Sequence, residues 1–196
     1  MGNEDEIISL LGKDRKRYMD VLKTFEGIPE EYQILLVEHA KDRLMINLEL
    51  IHFFENKGFE IFYITANNPA AEVLENLKKR NINTDKLKIV DMITMSSEGT
   101  KVQENKVKYL HTPKDLIDLN EIIEEEIKGS GKKLIIIDSV TSLSVYNEIK
   151  TVEKFIHTVI ARLRKTKVKG IMIAAKDTDK DLMAAMSQFC DDVLSV

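Results

Sequence analysis

The stretch QILLVEHAKDRLMINLELIHFFENKGFEIFYIT, residues 33–65, decides the fold. Residues 33–38 are a short apolar run rich in strand formers, and residues 42–58 continue at helical spacing until Gly58 stops them. FEIFYIT, residues 59–65, has strand character again. A strand, a helix of this length and a second strand make a βαβ unit, whose crossover helix sets the two strands parallel. The junction between the first strand and the helix reads His39-Ala40-Lys41-Asp42, and no glycine occurs between Gly27 and Gly58.

The alternation continues downstream. Asn68 is expected to cap a helix with Pro69 at its first position, and that helix ends in the basic Lys78-Lys79-Arg80. KLKIVDMIT (86–94) reads as a short strand, MSSEGTKVQEN (95–105) as a polar loop and KVKYLH (106–111) as a strand. Thr112-Pro113-Lys114-Asp115 matches a capping box, opening a helix with Leu116, Leu119, Ile123 and Ile127 on one face. Gly129-Ser130-Gly131 breaks it, and KKLIIIDS (132–139) is the clearest buried strand. Residues 148–167 form an amphipathic helix on Ile149, Val152, Ile156, Val159, Ile160 and Leu163. GIMIAAK (170–176) is another strand, Thr178 with Asp181 another capping box, and DVLSV (192–196) a last strand. Upstream, Ile7, Ile8, Leu11, Tyr18, Val21, Leu22 and Phe25 recur at helical spacing before Gly27 and Pro29. The expected organisation is an N-terminal helical extension, 1–27, followed by an α/β domain, 28–196, with a mainly parallel sheet covered on both faces.

Composition fits one soluble globular unit: 43% hydrophobic and 32% charged residues, with no apolar run near the ~18 needed to span a bilayer. A net charge of −4 with interspersed signs gives no basic field, so neither nucleic acid nor a membrane is an expected partner. The acidic start MGNEDEIISLLGK lacks the basic region of a signal peptide, and Glu6 breaks the myristoylation pattern. A single cysteine, Cys190, excludes an internal disulfide and reads as a small buried apolar residue. A cytoplasmic location is expected.

In an open parallel sheet, ligands bind beyond the carboxyl ends of the strands. Those ends carry Glu38-His39-Ala40-Lys41, Thr65-Ala66-Asn67-Asn68, Asp138-Ser139 and Lys176-Asp177. LIIIDSVTSL (134–143) resembles the Walker B strand of the RecA-like ATPases. Three further blocks, GIP…ILLVE…GFEIFYIT, YLHTPKDLIDLNEII and TVEKFIHTVIARLRKTKVKGIMIAAK, stand around it in the order seen in the KaiC-type branch of that superfamily. The resemblance spans residues 27–196 and leaves out the N-terminal helical segment. It implies a three-layer RecA-like (P-loop NTPase-type) domain with the strand order 192–196, 34–38, 170–175, 133–138, 59–65, 106–110.

The family's phosphate loop, G-x-x-x-x-G-K-[ST], uses glycine backbone amides to cradle phosphates, a lysine on the outer phosphates and a hydroxyl on magnesium. The equivalent stretch here is His39 to Ile46, with Met45 near the lysine position and Ile46 near the hydroxyl. KaiC-type ATPases usually carry paired acidic residues after the second strand, one activating the attacking water; here ITANNP places Asn67 and Asn68 there. An amide cannot serve as a general base at neutral pH. Asp138 keeps the residue type of the magnesium-associated aspartate, yet is expected to bond the Ser139 or Thr141 backbone or cap the next turn.

No catalytic or metal-ligating residue is therefore expected, and neither ATP nor magnesium as cofactor. His39, His52 and His157 read as loop, helix-face and packed or surface residues, because no second ligand stands at metal-site spacing. Two functions follow from this reading. One is a non-catalytic KaiC-like pseudo-ATPase acting as a regulatory or scaffold partner, of itself or of an active KaiC-like relative. The other is a small-molecule or nucleotide-responsive binding protein using a remodelled pocket of His39, Lys41, Arg43, Asn67, Asn68, Asp138 and Lys176.

Overall fold

The computed structural model describes residues 22–38, 43–97, 99 and 101–196, with the Arg43 side chain left out. Seven strands are described: β1 (Gln33–Glu38), β2 (Glu60–Thr65), β3 (Leu87–Asp91), β4 (Val107–Tyr109), β5 (Lys133–Asp138), β6 (Lys169–Ala175) and β7 (Asp192–Ser195). The helices are α1 (Arg43–Asn56), α2 (Ala70–Lys79), α3 (Leu116–Glu126), α4 (Val140–Tyr146), α5 (Ile149–Thr166) and α6 (Lys180–Phe189). A 3-10 turn, Phe25–Gly27, precedes β1.

The strands form one parallel sheet in the order β4-β3-β2-β5-β6-β1-β7. This is the expected order with one strand added: β3 lies between β2 and β4 instead of being left out. β3 belongs inside because Ile89 and Val90 are fully buried, and it pairs with both neighbours. Every residue of β1 and β6 is buried, as continuous apolar runs require of central strands.

Alternate strand residues feed two cores. On one face Leu35, Phe62, Ile64, Ile135, Ile137 and Met172 pack against α3, α4, α5 and α6. On the other Ile34, Leu36, Ile61, Ile136, Ile171 and Ile173 pack against α1, α2 and the approach residues Leu22 and Phe25. Each fully buried Leu or Ile contributes roughly 1.5–3 kcal/mol, so the two layers hold the sheet without a disulfide. Cys190, the lone thiol, is buried as expected, and burial beside the Asp191 charge pushes it up to about 12.

Several helix starts differ from expectation. Asn68 and Pro69 do not begin α2; it starts at Ala70, whose N–H donates to Asp91 Oδ2 at 2.7 Å. That cap comes from a neighbouring strand, which no local pattern shows. Thr112 does not cap α3, which starts at Leu116; Asp115 turns back to accept from the His111 and Thr112 amides. Thr178 does not cap α6 either. Its hydroxyl donates to the Ala175 carbonyl at 2.6 Å, and Asp179 accepts from the Asp181 and Leu182 amides. Helix α4, absent from the sequence reading, is capped by Ser139, whose side chain accepts from Ser142 N at 3.1 Å.

Candidate functional site

The carboxyl end of the sheet gathers a polar network around Asp138. β5 ends there, and the carboxylate is fully buried. Asn47, on the sheet-facing side of α1, donates Nδ2–H to Asp138 Oδ2 at 2.8 Å. The Tyr63 hydroxyl, from β2 on the same face, donates to the same oxygen. Asn67, just past β2, donates Nδ2–H to Oδ1. Its carbonyl oxygen in turn accepts from the Ser142 hydroxyl of α4, and Ser142 lies 3.0 Å from Ser139 Oγ. The network thus crosses the end of the sheet, from α1 on one face to α4 on the other.

Asp138 does not behave as the sequence reading expects: its described partners are side chains from three other elements, and Ser139 does the capping. The cause is depth. A buried carboxylate is costly unless its lone pairs are taken up, and amides and a phenol supply the donors. Burial, and then the Asp138 charge, hold the Tyr63 phenol well above its ordinary value, so it remains a donor.

The loop bearing Asn67 is fixed from below. The Thr65 hydroxyl donates to Asn68 O at 2.7 Å and accepts from Asn68 N at 3.1 Å. Asp91 accepts from Ala70 N, from Ile93 N at 2.9 Å, and from both the Thr94 amide and its hydroxyl. Two hydroxyl contacts anchor the other rim, where Thr141 Oγ1 accepts from Ala175 N at 2.8 Å and sits 2.5 Å from Thr178 Oγ1.

Of the seven expected pocket residues, Asn67 and Asp138 come together. Asn68 turns its amide outward to Glu72 Oε2 at 3.1 Å. Lys176 is exposed and joins the strand end through its backbone, donating to Glu38 O at 3.0 Å. His39 and Lys41 lie outside the described residues, as does the Arg43 side chain. The network partners Asn47, Tyr63 and Ser142 escaped the sequence reading, whereas Glu38, read at the end of β1, is there and fully buried. The signal for Asn47 is there in retrospect: it is the one polar residue between Leu44 and Leu48.

The remaining polar groups are structural. His157 packs edge-on to Phe189 with ring centroids 4.9 Å apart, and His52 faces Asn56 along α1. The basic helix ends make ion pairs, Lys79 with Glu75, Arg80 with Glu49 and Arg164 with Asp191. Among the described residues, no three His, Cys, Asp or Glu side chains are grouped to hold a metal ion, and no helix is long and apolar enough to cross a membrane.

The sheet order and the strand-end aspartate match the architecture the motifs implied. The family described as ATPase: KaiC matches residues 48–192, three-quarters of the chain. The chain belongs to the KaiC family.

The match to KaiC begins at Leu48, just past residues 39–46. Among solved structures, the KaiC-like protein PH0186 of the hyperthermophilic archaeon Pyrococcus horikoshii aligns at a TM-score of 0.62 with 15% identity, covering 86% of this chain and 72% of that one. The uncharacterized protein PH0321 of Pyrococcus horikoshii, solved with an unknown peptide, aligns at 0.69 with 12% identity, covering 90% and 82%. At such identities these likenesses establish the three-layer RecA-like fold. No curated protein matches the chain.

Proposed function

We propose that this KaiC-family chain is a non-catalytic member, a pseudo-ATPase that acts as a regulatory or scaffold partner through protein–protein contact. The observation carrying this reading is the state of Asp138. Asn47 and Tyr63 donate to one carboxylate oxygen and Asn67 to the other, so three of the carboxylate's acceptor sites serve the chain's own side chains. The sequence at the equivalent of the phosphate loop supports the same reading. On the resemblance, the lysine and hydroxyl positions fall near Met45 and Ile46; Ile46 is buried in the core, and Met45 lies 3.1 Å from the Arg80 guanidinium. After β2 the chain offers amides where a general base would be needed.

A protein partner suits a family fold in which the strand-end aspartate is engaged by the chain's own side chains; a second copy or an active KaiC-like relative is the candidate. PH0321, a structural relative, was solved with a peptide bound, which supports protein contact as a use of this fold. The small-molecule reading has less behind it, because Asn67 and Asp138 are bonded to each other and Asn68 points away.

The test is calorimetric titration of the full chain with magnesium-ATP, with phosphate release measured in parallel. No saturable heat and no turnover above buffer are expected at nucleotide concentrations up to about 1 mM, the weak limit of ordinary substrate binding. Tight binding with turnover would overturn the reading.

A further inference from the structure

Asn67 links the buried and the half-buried parts of the network. It is half-buried, at the boundary between solvent and the fully buried Asp138 and Ser139. Its carboxamide uses both ends: Nδ2–H donates to Asp138 Oδ1, and Oδ1 accepts from the Ser142 hydroxyl. Thr65 Oγ1, bonded to the Asn68 amide and carbonyl, pins the loop that presents it. A primary amide carries its donor and its acceptor on separate atoms, so it can donate to a carboxylate and accept from a hydroxyl at once.

We propose that Asn67 is a built-in plug: its carboxamide is an internal ligand set between Asp138 and Ser142, and these two groups form a site for a primary amide. This deepens the non-catalytic reading by naming a side chain that engages the strand-end aspartate. The chemistry sets the specificity. The Asp138 carboxylate demands a donor and repels an anion, whereas the Ser142 hydroxyl demands an acceptor. Acetamide satisfies both, and acetate, its near-isostere, fails the first.

The experiment is chemical rescue followed by thermal unfolding of the full chain. Asn67→Gly should lower Tm by roughly 4–10 °C, as expected for two lost part-buried hydrogen bonds, one of them to a carboxylate, in a chain of this size. Acetamide should restore part of that loss saturably, while acetate restores none. Asn68→Gly, whose side chain faces Glu72, should show no saturable response to either. A wild-type Tm in Asn67→Gly, or a response that does not distinguish acetamide from acetate, overturns the plug. Should Asn67→Gly fail to fold, Asn67→Asp and Asn67→Ala decide: the need for a donor makes the isosteric Asp less stable than Ala, and the reverse order rejects the proposal. The wild-type nucleotide titration tests the non-catalytic reading separately, so the two can fail independently.

Discussion

Tyr63 shows how one buried group sets the behaviour of the molecule at high pH. Burial and the neighbouring carboxylate favour its neutral form in the folded state. In the unfolded chain the phenol ionises near 10, so between that pH and its folded value the native state holds the extra proton. Its contribution to stability is therefore complete below about pH 10 and declines as pH rises, by at most about 1.4 kcal/mol per pH unit. Tyr63→Phe should remove that part of the slope, and should cost about 1.5–3 kcal/mol at neutral pH for the lost bond to a charged acceptor. Urea unfolding of both proteins between pH 7 and 11 checks it; equal slopes above pH 10 would show that Tyr63 ionises equally in both states. At this scale the sequence was least informative. Asn47 and Tyr63 sit in runs that read as core, and only the pairing of β2 with β5 together with the placement of α1 shows that they share a target.

Single elements show where local signals suffice and where they fail. Helix α5 was legible because Val152, Ile156, Val159, Ile160 and Leu163 repeat with the helical period and are all buried. Helix α4 was not. It spans seven residues, too few for a period to stand out, and its hydroxyl-rich sequence forms no stable helix alone. Its start depends on the Ser139 cap, so Ser139→Ala should destabilise the chain by about 0.5–2 kcal/mol in chemical denaturation. The loss should fall on α4: hydrogen exchange of the Ser142 amide should speed up while the Ile156 amide of α5 keeps its protection. A second close contact belongs to β6. A Cβ on Gly170 would strike the Gln33 side chain and come within 2.8 Å of Leu163 Cδ1, so this glycine is set by space between layers. The strand pattern alone records only its apolar neighbours.

At the scale of the whole molecule, most of the architecture was readable, because a parallel sheet writes its central strands as unbroken apolar runs. ILLV, LIII and IMIAA marked β1, β5 and β6, three adjacent strands none of which lies at an edge. β3 went missing from the expected order because its exposed Lys88 interrupts the run, pairing with Glu126 at 2.6 Å. The polar network at the strand end was not readable, since it depends on which side chains different elements bring together. The same layering predicts the pattern of opening. Amides of β5 and β6 should exchange only with global unfolding, and those of the edge strands β4 and β7 several orders of magnitude faster. Native-state hydrogen exchange read by mass spectrometry checks the ranking; protection of β7 equal to that of β6 would contradict it.

Asp91 draws a boundary for anyone cutting or transplanting this fold. The helix that starts at Ala70 takes its first amide's partner from a carboxylate 21 residues later. A fragment of residues 66–80 moved into another scaffold would arrive with its leading end bare, however faithful its sequence. A permutant opened between α2 and β3 would leave that end dependent on docking instead of chain connection. The smallest portable piece containing Asn67 therefore runs from β2 through Thr94: two paired strands, the helix between them and the turn that the same carboxylate ties.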